Sequence, residues 1–255
     1  MSKDFAVPEF LGRTCNLMFQ TAAAIGYAKK YNTDWFIPAH YHHRQIYKYW
    51  KLPVYKGNIK KLQVYDVATD EGWGYSPIPK FEGGVKIRGF FQSERHFDNA
   101  IPEVKQAFKL NINPIDFVSI HIRRGDYLDT NQQTFRPVDM NYIHQAVDVF
   151  RQCNKMKFLV FSDDMPWCKA NLSVIKDAEF LYSDGQNEFN DLSRMASCSD
   201  HIIANSSFSW WGSYLGHNDN KVIVSPDHTA PNWFAHNKMD TTHLIPSSWT
   251  EIKFR

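Results

Sequence analysis

Short apolar runs, each ended by a polar cluster, recur through the second half of the chain. They are Phe117 to Ile122, Phe158-Leu159-Val160-Phe161, Phe180-Leu181-Tyr182, His201-Ile202-Ile203-Ala204 and Val222-Ile223-Val224. Between them lie segments of helical period. Met140, Ile143, Val147 and Phe150 fall at i, i+3, i+7 and i+10, and Phe189, Leu192 and Ala196 at i, i+3 and i+7. Apolar strands alternating with amphipathic helices predict a parallel sheet covered on both faces. A parallel sheet brings all its strands' carboxyl ends to one edge. Arg123-Arg124-Gly125-Asp126, Ser162-Asp163-Asp164, Ser183-Asp184-Gly185 and Asn205-Ser206-Ser207 then share that edge. Open α/β sheets hold their ligands there.

The first half is less regular. Gly12 to Tyr31 reads as a loop feeding a helix, with Met18, Ala22 and Ile25 at i, i+4 and i+7. Asp34 to Ile37 is a short strand ended by Pro38, and Val85 to Phe91 is another strand. Residues 40–81 mix aromatics, histidines and prolines without a period. A break at 108–115, marked by Asn111, Asn113 and Pro114, divides the chain into lobes at 1–112 and 113–255. The final segment is a candidate to pack back on the first lobe.

The balance of 29 basic and 27 acidic side chains gives no bulk pull toward nucleic acid or a membrane surface. The four cysteines are widely spaced, without metal-site or disulfide-framework spacing. The N-terminus lacks the apolar core of a secretory signal. No apolar run approaches the ~20 residues of a membrane span. A cytoplasmic protein without a membrane span is expected. Aromatics make up 15% of the chain, a share that core packing or sugar stacking can explain.

Arg123 and Arg124 are neighbours at an extended strand end, so their side chains start toward opposite faces. One reaches the crevice, where its planar fork of donors suits a phosphate. The other braces Asp126 or a neighbouring helix. Asn205 or Ser206 caps the helix that follows. The unpaired N–H groups of that helix's first turn, at the positive end of its dipole, suit an anion. Asp163 and Asp164 can bind a metal, accept from a nucleobase or ribose, or cap the next helix. A metal would call for more hard ligands than cluster there, so none is assigned. Asp191, taken alone, reads as a solvated helix face. Gly12-Arg13-Thr14-Cys15-Asn16 precedes a helix but lacks the spacing of a dinucleotide-binding glycine loop.

Together these residues resemble the α-1,2-fucosyltransferase family, glycosyltransferase family 11. The family's H-x-R-R-x-D-Y matches His121, Arg123, Arg124, Asp126 and Tyr127, and its F-S-D-D matches Phe161 to Asp164. Its N-D-L…M…C…I-I-A-N-S-S-F-S-W-W-G matches Asn190, Asp191, Leu192, Met195, Cys198 and Ile202 to Gly212. Gly89 to Glu94 resembles G-Y-F-Q-S-E, and Leu244 to Trp249 resembles L-I-P-x-S-W. One motif departs: in G-x-x-G-N-Q-M-F, Gly12, Asn16, Met18 and Phe19 hold, while Cys15 replaces the second glycine and Leu17 the glutamine.

The resemblance implies an α/β, GT-B-like fold of two Rossmann-like lobes, with a parallel sheet in a C-terminal lobe that binds GDP-fucose. It implies inverting transfer of fucose to the 2-hydroxyl of a galactose-containing glycan, as a galactoside 2-α-L-fucosyltransferase, with no cofactor or essential metal. Arg123 would stabilise the departing β-phosphate, and Arg124, counted with the donor-binding residues, reads as the brace of the two. His121 and Asp191 would hold the guanine, and Asp163 or Asp164 would join in nucleotide binding. Asn205, Ser206, Ser207 and Phe208 would frame the diphosphate at the helix opening. Asp126 and Asn16 are the candidates for positioning or deprotonating the acceptor hydroxyl, and Asn16 cannot be an ordinary base. The segment holding Trp35, His40, His42, His43 and Trp50 is a candidate acceptor lining. Competing readings are a GDP-sugar-binding protein with weak or lost activity, a transferase using another GDP-sugar, and a metal-dependent hydrolase built on Asp163 and Asp164.

Overall fold

The computed structural model describes residues 4–39, 45–67, 73–129, 134–185, 187–236 and 238–255. Among these residues every strand pairing is parallel. The chain divides into two units, Met1–Lys109 with Lys238–Pro246, and Leu110–Asn237 with Ser247–Arg255.

The first unit contains β1 (Phe5–Pro8), α1 (Thr14–Tyr31), β2 (Asp34–Trp35), β3 (Ile37–Pro38), α2 (Gln45–Tyr49), β4 (Val54–Tyr55), β5 (Gln63–Asp66), β6 (Gly84–Arg88) and α3 (Ile101–Ala107). Its main sheet has the order β2-β1-β6-β5. The stripe Met18, Ala22, Ile25 understates α1. From Thr14 to Ala28 every residue but Asn16 is buried. A helix that is apolar nearly all round belongs in a core. Asn32, in the left-handed region at φ 53°, ends it by donating its N–H to Ala28 O. The single strand expected over 34–37 is instead two short ones. β2 pairs with β1, while β3 pairs with β4 in a separate two-stranded ladder that includes Pro38. Proline is tolerated there because such a ladder is all edge.

The second unit contains β7 (Ile115–Ile122), α4 (Met140–Gln152), β8 (Lys157–Ser162), α5 (Met165–Leu172), β9 (Glu179–Tyr182), α6 (Glu188–Ala196), β10 (Cys198–Ile202), α7 (Ser207–Tyr214), β11 (Ile223–Pro226) and β12 (Thr250–Ile252). They build a six-stranded sheet of order β12-β11-β10-β7-β8-β9. Alternate residues serve its two faces. Val118, Ile120, Ile122, Phe158, Val160, Ile202 and Val224 pack with Tyr142, Ile143, Val147 and Phe150 of α4 and with Cys168 and Leu172 of α5. Leu159 and Phe161 face the other way, onto Met195 of α6 and Phe208 of α7. Tyr142 reaches through the first face and donates to Ile203 O and Val224 O at 2.7 and 3.1 Å.

The strand expected over 201–204 begins earlier, at Cys198. Its polar start hid it. Asp200 is fully buried there, because Lys155 Nζ at 2.5 Å, Ser199 Oγ at 2.9 Å and Val222 N–H at 2.8 Å all donate to it. A buried charge is tolerable when its lone pairs are satisfied in this way.

Candidate functional site

The register Ile122↔Ser162 and Ile120↔Ile202 sets the ends of β7, β8 and β10 side by side. The polar clusters therefore lie on one edge of the second unit's sheet, as the alternation of apolar runs implied.

His121 sits on the face opposite Ile120 and Ile122. Its ring centroid is 5.3 Å from that of Phe208, and its Nδ1 lies 2.8 Å from Ser209 Oγ. Burial first, and then the neighbouring Arg123 charge, lower its pKa to about 3 against a smaller opposing pull from Asp163. The ring is neutral near pH 7.

The two arginines diverge. Arg123 donates from Nε and Nη2 to Asp126 Oδ1 at 3.0 and 2.6 Å, and its Nη1 lies 2.8 Å from Asp163 Oδ2. Arg124 turns toward α5, stacking over the Trp167 ring at 4.0 Å and donating from Nε to Asp164 Oδ2 at 3.0 Å. Arg124 is thus a brace. The residue paired with Asp126 is Arg123. Asp163 also accepts the Arg124 backbone N–H at 2.8 Å. Gly125 permits that approach, since a Cβ there would sit 2.6 Å from Asp163 Oδ2. Asp164 caps α5, accepting from Trp167 N at 3.2 Å. Of the three roles open to this acidic pair, the cap is seen at Asp164. Among the described residues, the donors that converge with metal-ligand spacing belong to Asp227, His228 and Glu251, outside this constellation.

Asp191 is not on a solvated face. It is half-buried beyond the end of β9, where it accepts the Ser183 hydroxyl. Arg194, one turn further along α6, donates to Ser183 Oγ and to Asp184 Oδ1, both at 3.1 Å. Burial raises the Asp191 pKa, and the Ser183 hydrogen bond and Arg194 only partly offset it. The roles of Ser183, Arg194 and Ser209 were missed from the sequence. The available signals were the one-turn spacing of Arg194 from Asp191 and a serine inside a tryptophan-rich helix.

Asn205 is buried and structural. Its amide donates to Arg136 O at 3.0 Å and Trp233 O at 2.8 Å, while the Tyr127 hydroxyl donates to its carbonyl at 3.0 Å. Both its N–H groups are therefore engaged. Ser206, not Asn205, caps α7, accepting from Phe208 N at 3.3 Å. Ser207 and Phe208 open the helix, both half-buried.

Asn16 belongs to the first unit, in the first turn of α1. Its Oδ1 accepts from Gln92 Nε2 at 2.9 Å. Gly12, at φ 82°, supplies the left-handed residue of the preceding loop. Gln20 grips that loop through Leu11, accepting its N–H at 3.0 Å and donating to its carbonyl at 2.9 Å. Cys15 and Leu17 are buried in the helix, so the cysteine needs no glycine-like backbone. Trp50 is a core residue, edge-on to Phe108 at 5.3 Å, and Trp35 packs at the border of the first unit's core. His40, His42 and His43 lie outside the described residues.

Residues 84–253 match the family model described as glycosyl transferase family 11. An alpha-1,2-colitosyltransferase of Escherichia coli is 30% identical over 190 residues, 68% of this chain and 64% of that protein. A galactoside alpha-(1,2)-fucosyltransferase 1 of Homo sapiens is 34% identical over 191 residues, 65% of this chain and 51% of that protein. The chain thus spans between half and two thirds of these relatives. Among solved structures, POFUT1 in complex with GDP-fucose superposes with a TM-score of 0.50 at 12% identity, over 88% of this chain and 98% of that one. The shared fold is α/β and GT-B-like.

Proposed function

The chain belongs to glycosyl transferase family 11, and on that premise we propose that it moves fucose from GDP-fucose to the 2-hydroxyl of a galactose-containing glycan. The observation that carries this reading is the shared sheet edge. There β7 sets His121 and Arg123, with His121 bonded to the first turns of α7. Names of relatives add support: two of them are α-1,2 transferases.

Breaking the donor's glycosidic bond gathers negative charge on the departing diphosphate oxygen, where fixed positive charge helps most. Arg123 supplies a cation, and the opening N–H groups of α7 supply partial positive charge. Asp126 and Asp163 hold the guanidinium in place until phosphate oxygens take over some of its donors. Asp191, as a carboxylate, matches the N1–H and 2-amino donors of guanine. Arg124, Asp164 and Trp167 anchor the strand end. Attack comes from the face opposite the diphosphate and inverts the sugar carbon. Asp126 is the group assigned to take the acceptor hydroxyl's proton as the new bond forms. The charge is carried by protein groups, so no resident metal enters the scheme, and chelation with EDTA should leave the rate unchanged.

The test is transfer from GDP-fucose to a panel of galactose-terminated oligosaccharides, with the linkage read by NMR. An α-1,2-linked product supports the reading. GDP binding without product with any acceptor or donor supports a binding protein instead. A second reading, another donor sugar, is favoured by the colitosyltransferase relative. Faster turnover with a colitose donor or GDP-mannose in the same assay would establish it.

A further inference from the structure

His121 is held by Ser209, to which the proposed mechanism gives no role of its own. Ser209 is fully buried on α7, and its Oγ lies 2.8 Å from His121 Nδ1. The same oxygen lies 3.3 Å from Ser206 O and 3.4 Å from Ala204 O. Both carbonyls are pure acceptors, and the hydroxyl has a single proton. Each carbonyl already accepts a backbone N–H, from Ser206 to Ala204 O at 2.8 Å and from Trp210 to Ser206 O at 3.1 Å. If the hydroxyl proton went to Nδ1, the cost would therefore be the repulsion of the serine's lone pairs by two oxygens 3.3 and 3.4 Å away. If it goes to a carbonyl, that repulsion becomes attraction and Ser209 is free to accept from Nδ1–H. The neutral imidazole then carries its proton on Nδ1 and a lone pair on Nε2.

We infer that Ser209 is a positioning residue that fixes His121 as the Nδ1–H tautomer, so that His121 offers an acceptor to an N–H or hydroxyl of the nucleoside and not a donor to the diphosphate. The inference rests on the transferase reading for its ligand, but not for the tautomer. A neutral ring with its lone pair on Nε2 repels phosphate oxygens and welcomes a base or sugar donor. The assignment also links two parts of the site. Ser209 belongs to the helix whose opening turn is capped by Ser206, so the helix offered to the diphosphate also aims the nucleoside contact.

The test uses ¹⁵N-histidine-labelled protein and long-range ¹H–¹⁵N correlation, with the His121 signals assigned from a His121→Gln variant. The wild type should show a protonated Nδ1 and a bare Nε2, and Ser209→Ala should lose that preference. Calorimetry should then find GDP binding weakened about fivefold in Ser209→Ala, the size of one net hydrogen bond. Binding of inorganic pyrophosphate should be unchanged, Ser209→Thr should restore GDP affinity, and Ser209→Ala should add nothing in the His121→Gln background. A protonated Nε2 in the wild type, or equal losses for GDP and pyrophosphate, would overturn the assignment. A wild type that does not bind GDP would sink the transferase reading, and the tautomer spectrum would still decide the role of Ser209.

Discussion

Arg123 already has two carboxylate partners, so a phosphate must compete for it. Its side chain is 22% exposed, and that of Asp126 is 45% exposed. A pair this wet contributes about 0–1 kcal/mol. A diphosphate offers oxygens of higher total charge than either carboxylate, so it competes for the same guanidinium donors. Arg123→Ala should lose about 2–3 kcal/mol of transition-state stabilisation, seen as a fall in kcat of roughly a hundredfold, by analogy with removal of an oxyanion donor. Near wild-type transfer by that variant would discard the mechanism. Asp191 sets a second expectation. Burial raises its pKa, so it takes up a proton at a higher pH than an ordinary aspartate. GDP affinity should therefore weaken on mild acidification, and Asp191→Asn should show low affinity that no longer follows this titration. An unchanged pH profile in that variant would move guanine recognition elsewhere.

At the scale of elements, the edge of the second sheet is held by side chains that cross between segments. Asp164 both caps α5 and receives Arg124. Asp164→Ala should cost about 0.5–2 kcal/mol through the lost cap alone, measurable by urea unfolding. Tyr142 ties α4 to the loop after β10 and to β11. Tyr142→Phe should cost about 1–3 kcal/mol, since it removes the hydroxyl donor from the buried Ile203 carbonyl. A change near zero would mean that another donor replaces the hydroxyl. Strands β7, β8 and β9 were legible because their runs are apolar and their pairings follow chain order around β7. The start of β10 was not, because Asp200 looks like a loop residue until Lys155 and Ser199 are seen around it. In the first unit, the break between β2 and β3 depends on which partner each dipeptide meets, and no local pattern encodes that.

At the scale of the whole molecule, three histidines among the described residues are buried, His96, His121 and His201. Burial is the largest cause lowering His121 and His201 to about 3 and His96 to about 4, from an ordinary 6.5. Below pH 6.5 the unfolded chain takes up these protons while the folded one does not, so stability rises with pH through this window and falls on acidification. Each histidine contributes a slope of up to about 1.4 kcal/mol per pH unit until its folded pKa is reached. Melting temperature should drop steeply from pH 6.5 toward pH 4, and His201→Gln should flatten part of that slope. An equal slope in the variant would assign the acid lability to carboxylates. The sequence by itself determined the parallel sheet, its shared carboxyl edge and the residue types on it, because hydrophobic period and strand direction are local properties of the chain. It also determined the family, through the contiguous run from Ile202 to Gly212. The reading of Arg124 as the brace came from the sequence too, but only the tertiary structure decided that it braces through Asp164 and Trp167 and that Arg123 is the one to meet Asp126 and Asp163. It alone showed Asn205 to be a bracket, Asp191 to be half-buried and Ser209 to stand against His121. Those outcomes depend on side chains from elements up to 88 residues apart meeting in space, and a pairwise meeting leaves no periodic trace in sequence.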